Sequence, residues 1–340
     1  MANSGRTVVA MLVGVALITL GCEDRELATP EPKPVQSQPT TPNSPQTSQL
    51  TAPPSSGAPV LAWAEVLEQN PDPRVVTDAD FLKRITETKL PWRVKDKASG
   101  IVMLLVPPGK FVMGMSPGDS EAASNERPSH EVTITKPFYL GRTEVTQEPW
   151  MKVMGEDPSK AASLVGGFIR QGLTKQEANE GAELWIRDHP VTDISWDDCH
   201  EFCAKVGLSL PTEAQWEYAC RAGVRKPTYG KLEQVAWYRL NGFSSDGTHP
   251  VAQKAPNALG FYDMLGNVCE WCEDKYDPDY YKSCDDGVVD PSGPESGKYR
   301  VLRGGSWDEY AGAVRSSYRD YYGAPGNALR GLGFRVARDP

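Results

Sequence analysis

Apolar and polar positions divide the chain into stretches of different character. Residues 7–20 (TVVAMLVGVALITL) form one apolar run behind a single basic residue, Arg6. The run is short and wrongly flanked for a permanent bilayer span, and it reads as a signal sequence covering residues 1–22. Residues 23–58 then carry Pro, Ser, Thr, Gln and Glu with no aromatic residue and few aliphatics. Such a composition cannot offset the entropy of ordering its backbone, and its prolines keep it extended, so it predicts a disordered stalk. Over 59–92 the pattern turns helical: Thr77 or Asp78 is a cap, and Phe81, Leu82 and Ile85 share one face. This short helical lead-in is expected to precede a domain over 93–340.

Within that domain, 103–106 and 110–113 predict two strands around the turn Pro107-Pro108-Gly109, and 130–134 (HEVTI) predicts another. Two helices are signalled by capping boxes. Ser195 with Asp198 precedes a face of Trp196, Cys199, Phe202, Cys203 and Val206, and Thr212 with Gln215 precedes Trp216, Ala219 and Cys220. Gly223 is placed to end the second helix. Residues 160–187 read as an added helical excursion. From 237 onward, Gly, Pro and Asn interrupt short apolar pieces.

Composition narrows the class. With 340 residues at 39% hydrophobic, the chain can bury a sizeable core. Its 31 Gly, 29 Pro and 9 Trp suit a turn-dense compact fold and argue against a helical bundle or a β/α barrel. A net charge of −9 leaves no basic face to displace phosphate counterions, so no nucleic-acid partner is expected. The signal ends in Thr19-Leu20-Gly21-Cys22, which resembles a bacterial lipobox, with Thr19 standing where Leu is usual. The Cys22 thiol would accept a diacylglyceryl group. That implies an exported protein of the cell envelope, periplasmic or surface-facing and held to the membrane by a lipid anchor.

Eight segments then occur in the order of one family: VPPGKFVMG (106–114), ERPSHEVTI (126–134), FYLGRTEVT (138–146), HPVTDISWDDCHEFC (189–203), LSLPTEAQWEYACRAG (208–223), GFYDMLGNVCEW (260–271), RVLRGGSW (300–307) and GFRVAR (333–338). Together they resemble the sulfatase-modifying-factor, or formylglycine-generating-enzyme, family. The resemblance implies an α+β domain of the formylglycine-generating-enzyme fold, related to C-type lectins. That fold has little regular secondary structure: a small antiparallel sheet, a few peripheral helices and long ordered loops.

The family's best-known activity oxidises a cysteine of a sulfatase precursor to formylglycine, using oxygen and copper. Cu(I) is a soft cation and needs the family's two thiolates. These lie two and seven residues after the aromatic residue of the GGS-aromatic motif, which is Trp307 here, so the positions are Glu309 and Val314. No cysteine follows Cys284. Copper is therefore not expected, no catalytic residue is assigned, and whether the chain is an enzyme stays open. A structural Ca²⁺ carries over better, to Asp263, Gly266, Val268 and Glu270, whose oxygens suit a hard cation. The alternative is that these carboxylates only cap turns.

Four histidines (His130, His189, His200, His249) stand in turn-like segments or alone on a helix and read as structural. Cys199, Cys203, Cys220, Cys269, Cys272 and Cys284 allow fifteen pairings, and sequence selects none. Cys203 and Cys220 match family positions that form bridges in some members, but the partner positions hold Arg319 and Val336. Cys269 stands where the family usually has Trp, beside the copper pocket, and is either a space filler or a pocket thiol. Residues 306–330 are rich in Tyr, Ser, Asp and Gly, a composition of recognition surfaces. Ser306, Trp307, Tyr310, Tyr318, Tyr321 and Tyr322 join Cys269 as pocket or recognition candidates. The bland alternative packs these tyrosines and has Arg315 and Arg319 hold loops by salt bridges. The leading expectation is a non-catalytic recognition or scaffold domain for an exported protein or surface ligand. The alternatives are a non-standard metal-dependent oxidase or oxygenase acting on a protein, and disulfide exchange through Cys269 and Cys272.

Overall fold

The computed structural model describes residues 61–156, 158–159, 187–242, 247–323 and 331–340. The expected signal, Cys22, the stalk, most of the 160–187 excursion and the end of the tyrosine-rich segment lie outside the described residues. In chain order the first half forms β1 (Ala64–Glu68), α1 (Ala79–Glu87), β2 (Arg93–Asp96), β3 (Val102–Val106), β4 (Gly109–Met113), β5 (His130–Ile134), β6 (Phe138–Gly141) and α2 (Gln147–Met154). The second half forms α3 (Trp196–Val206), α4 (Glu213–Arg221), α5 (Leu232–Val235), β7 (Cys269–Tyr276), β8 (Val288–Val289), β9 (Tyr299–Arg303), β10 (Asp320–Tyr322), β11 (Leu332–Gly333) and β12 (Ala337–Arg338).

Among the described residues the strands form three sheets within the expected α+β domain, where the resemblance implied one small antiparallel sheet. The first has order β1-β2-β3-β6-β12, the second β10-β9-β7-β11 and the third β4-β5-β8. Two pairings are parallel, β7 with β11 and β5 with β8. In β3, Met103, Leu104, Leu105 and Val106 are all buried, so both faces are covered and the strand reads as a run instead of an alternation. The turn at 107–108 hands the chain from the first sheet to the third. Gly109 leaves room there for two side-chain ends, because a Cβ would fall 2.1 Å from the Arg84 guanidinium and 2.3 Å from the Tyr218 hydroxyl.

The lead-in is more than helical. Asp78 caps α1 by accepting from the amides of Asp80 and Phe81, and Phe81 and Ile85 are buried as the pattern predicted. Ahead of it, β1 extends the first sheet by pairing with β2, and Leu61, Ala64 and Val76 join the core. The packed unit thus begins by residue 61, well before 93. As an edge strand with Val66 and Leu67 exposed, β1 lacks the alternation that would have marked it.

Both capping boxes form. Ser195 Oγ accepts from Asp198 N while Asp198 accepts from Ser195 N, and Thr212 and Gln215 do the same. The predicted face of α3 is buried in full. Helix α4 is enclosed on its charged side as well, with Glu213, Glu217 and Arg221 all buried. Arg303 on β9 pairs with Glu217 and donates to Ser316 O at 2.8 Å. Arg319 grips Glu213 at 2.7 and 3.0 Å, and Arg315 pairs with Asp119 and Glu126, each at 2.7 Å. Arg315 and Arg319 therefore do lock loops to the domain.

Asp274 accepts from Glu213 N at 2.7 Å inside this network. Burial, then the Glu213 charge, push its carboxyl from 3.8 up to about 8. A proton held by the native state and released on unfolding makes stability fall as pH rises across that window. Asp274→Asn is expected to flatten the slope of unfolding free energy between pH 4 and 8 by up to about 1.4 kcal/mol per pH unit. Urea titrations at a series of pH values check this; an unchanged slope would place the charge elsewhere.

Candidate functional site

Two segments build the site: the tight loop 263–270 that enters β7, and the GGS turn that follows β9. In the loop, Asp263, Gly266 and Asn267 take φ values of 52°, 75° and 59°. Gly266 is obligatory, since a Cβ would lie 2.0 Å from Trp237 O. Backbone bonds splice the two segments, with Gly266 N donating to Gly304 O at 2.9 Å and Trp307 N to Asn267 O at 3.0 Å.

The loop gathers three buried carboxylates around one guanidinium. Glu270 accepts from Arg335 through both oxygens at 2.6 Å and from Trp216 Nε1 at 2.7 Å. Arg335 also donates to Gly141 O at 3.0 Å and Asp263 O at 3.3 Å. Glu144 accepts from Asn267 Nδ2 at 2.9 Å and Val268 N at 3.2 Å. Asp263 accepts from Ala252 N at 2.6 Å through one oxygen, while its Oδ1 is buried with no hydrogen-bond partner. Burial pushes the Asp263 carboxyl up to about 6. Burial, followed by the charges of Asp263 and Glu270, drives that of Glu144 well above the usual range.

The four residues expected to hold calcium lie on the same loop, with Asp263 and Glu270 both buried and both Glu270 oxygens engaged by Arg335. The orphaned Asp263 Oδ1 and the excess of carboxylates over guanidinium fit a divalent cation. Among the described residues no three His, Cys, Asp or Glu side chains converge in metal-holding geometry. A cation here would draw on the carbonyls of Gly266 and Val268 and would share Glu270 with Arg335.

At the GGS turn, Glu309 and Val314 face each other across Gly305. A Cβ on that glycine would lie 3.1 Å from Glu309 Oε2 and 3.0 Å from Val314 Cγ2. Glu309 Oε2 accepts from Ser306 N at 2.8 Å and lies 3.6 Å from Cys269 Sγ, while Ser306 Oγ donates to Asp308 at 2.7 Å. Val314 is fully buried. Burial raises the Glu309 carboxyl to about 7, against the lowering effect of the Ser306 amide. The Cys269 thiol is driven up by burial and then by the Glu309 charge. Cys269, Ser306, Glu309 and Val314 therefore form one cluster, and Trp307 is half-buried beside it.

The tyrosines divide. Tyr310 is 63% exposed, with the Arg239 guanidinium 4.7 Å over its ring. Tyr321 stacks on Tyr276 at 4.2 Å and touches Tyr299 at 5.1 Å. Tyr318 and Tyr322 are half-buried, and Tyr322 packs against the core. All six domain cysteines are free thiols. Cys269 and Cys272 lie three apart on β7, so their side chains leave opposite faces of the strand, and both are buried. The disulfide-exchange reading loses its geometry. The histidines bond separately, His130 to Pro128 O, His189 to Thr248, His200 to Glu273 and His249 to Gly242 O.

Sequence reasoning missed Glu144, Arg335 and the Glu309–Cys269 contact. A lone acid inside the apolar segment FYLGRTEVT was the visible sign of the first.

A profile described as "Sulfatase-modifying factor enzyme 1-like domain" matches residues 90–340. The formylglycine-generating enzyme of Streptomyces coelicolor is 31% identical over 280 residues, which cover 69% of this chain and 88% of that protein. The serine/threonine-protein kinase pkn1 of Chlamydia caviae is 34% identical over 239 residues, or 69% of this chain, and this chain spans only 38% of the kinase's length. Among solved structures, variable protein 1 of Treponema denticola aligns with a TM-score of 0.54 at 28% identity, over 71% of this chain and 95% of that one.

Proposed function

Because the chain belongs to the sulfatase-modifying factor enzyme 1-like family, we propose that it uses the family's fold as a non-catalytic recognition or scaffold domain. The observation that carries this is the pair Glu309 and Val314, which face each other across Gly305 where the family's copper thiolates are expected. A carboxylate is a hard ligand and valine is none, so Cu(I) has no soft pair to bind. The space is also taken, by the Val314 side chain and by a carboxylate engaged with Ser306 N. In this reading the domain is exported, tethered through lipidated Cys22 and held off the membrane by its stalk. It would present Tyr310 and Tyr321 to an exported protein or surface ligand. Incubation of the full-length protein with copper, oxygen and a CTPSR-type sulfatase peptide is expected to leave the peptide mass unchanged. Formylglycine formed at a catalytic rate would overturn the proposal and favour an oxidase with an unrecognised metal site.

We infer further that the loop at 263–270 binds calcium in a structural role, through Asp263, Glu270 and the carbonyls of Gly266 and Val268. The cation would offset the charge of Asp263, whose Oδ1 is buried without a hydrogen-bond partner. Calcium at about 100 times its Kd is expected to add about 2.7 kcal/mol of stability, or roughly 5–10 °C in Tm. Thermal unfolding in excess calcium against a chelator measures this, with Asp263→Ala removing the difference. Equal Tm values in the two buffers would dismiss the ion.

A further inference from the structure

A cavity of about 430 Å³ opens where the β2–β3 turn, the segment after β6 and helix α2 meet. Three cations line it, one from each wall: Lys95, Arg142 and Lys152. Lys95 Cε and Lys152 Nζ lie 3.7 and 4.0 Å from the point a Cβ would occupy on Gly100, so the two stems converge. Neither lysine enters an ion pair or a hydrogen bond among the described residues. Arg142 lies on the wall with its guanidinium 4.7 Å over the Tyr262 ring, and among the described residues no carboxylate pairs with it. Three acids, Glu144, Glu148 and Asp188, share the lining with the three cations, but among the described residues none of them forms an ion pair with Lys95, Arg142 or Lys152.

The acids around the cavity do not answer them. Glu144, at its floor, is engaged by Asn267 Nδ2 and Val268 N. Glu148 and Asp188 are exposed and pair with none of the three cations. Both lysines are exposed and their side chains approach the same glycine, so an anion placed between them would gain from both charges. The two exposed acids would repel a long polyanion at the rim while leaving room for a compact one.

We propose that this cavity binds a small phosphate-type oxyanion, held between Lys95 and Lys152 with Arg142 as the third cation. Lysine supplies point charges to such a group, and arginine a planar fork. The site is separate from the GGS cluster and does not depend on the chain being a non-catalytic binder. The test is calorimetric titration of the full-length protein with inorganic phosphate and with glycerol phosphate, at constant ionic strength and with chloride as the reference. Saturable millimolar binding is expected, and it should weaken by at least about tenfold in Lys95→Ala/Lys152→Ala. The control Lys83→Ala/Lys282→Ala removes the same charge at exposed positions elsewhere and should leave the affinity unchanged. Tighter binding of glycerol phosphate would identify an esterified phosphate as the natural occupant; binding of inorganic phosphate alone would identify the free ion. Equal affinity in the two double variants, or a chloride response equal to that of phosphate, would overturn the proposal.

Discussion

Replacing Arg335 by methionine is expected to destabilise the domain by about 3–5 kcal/mol. The guanidinium is fully buried and is the cation that both Glu270 oxygens face. Removing it leaves Glu270 with only the Trp216 indole, near two further buried carboxylates, Glu144 and Asp263. An unpaired buried charge costs more than the pair ever contributed, because its desolvation is no longer offset. The same exchange strips donors from Gly141 O, Tyr262 O and Asp263 O, which tie the first sheet to the loop. Urea unfolding of the variant measures the loss. Adding Glu270→Gln in the Arg335→Met background should return about 1–2 kcal/mol, since the stranded charge is then gone. A single-variant loss below about 1 kcal/mol would show that the cluster is already neutral without the arginine.

Introducing both thiols, as Glu309→Cys with Val314→Cys, should give a chain that binds about one Cu(I) per molecule, where the unaltered chain is expected to bind none. The geometry favours this, because both side chains already flank Gly305 at 3.0–3.1 Å from the same point. The exchange also removes a buried carboxylate whose charge opposes the Cys269 thiol. Competition with a Cu(I) chelator measures the affinity, and Cys269→Ser in both backgrounds reports any part played by that thiol. Strong copper binding by the unaltered chain would show that Cys269 and Glu309 already suffice, and would sink the account of a lost site.

Local patterns located what local chemistry builds. The caps at Asp78, Ser195 and Thr212, the buried face of α3 and the strands β3, β4 and β5 were legible because each is set by neighbours within a turn or a pleat. Strand β7 was not. Its first four residues, Cys-Glu-Trp-Cys, are all buried, and Glu270 is accommodated only because Arg335 lies against it. The candidate site depends on contacts of this kind. Glu309 meets Cys269 from 40 residues away, Glu270 meets Arg335 from 65 and Glu144 meets Val268 from 124. Resemblance identified the positions that had lost their cysteines. Only the fold showed that Glu309 turns into the cluster to accept from Ser306 N, and that Tyr310 and Tyr321 make separate contacts.

Strand β12 has a kinetic consequence. The first sheet receives its closing edge from Ala337–Arg338, which pairs with β6 from almost two hundred residues downstream. Such closure must wait until residues 337–338 are available, and so large a sequence separation slows folding. During synthesis the upstream strands therefore exist for a time as an open sheet with an unpaired edge, a state prone to association. A chain terminated before residue 331 never leaves that state, so quality control would meet it as an unfinished molecule, not a shortened one.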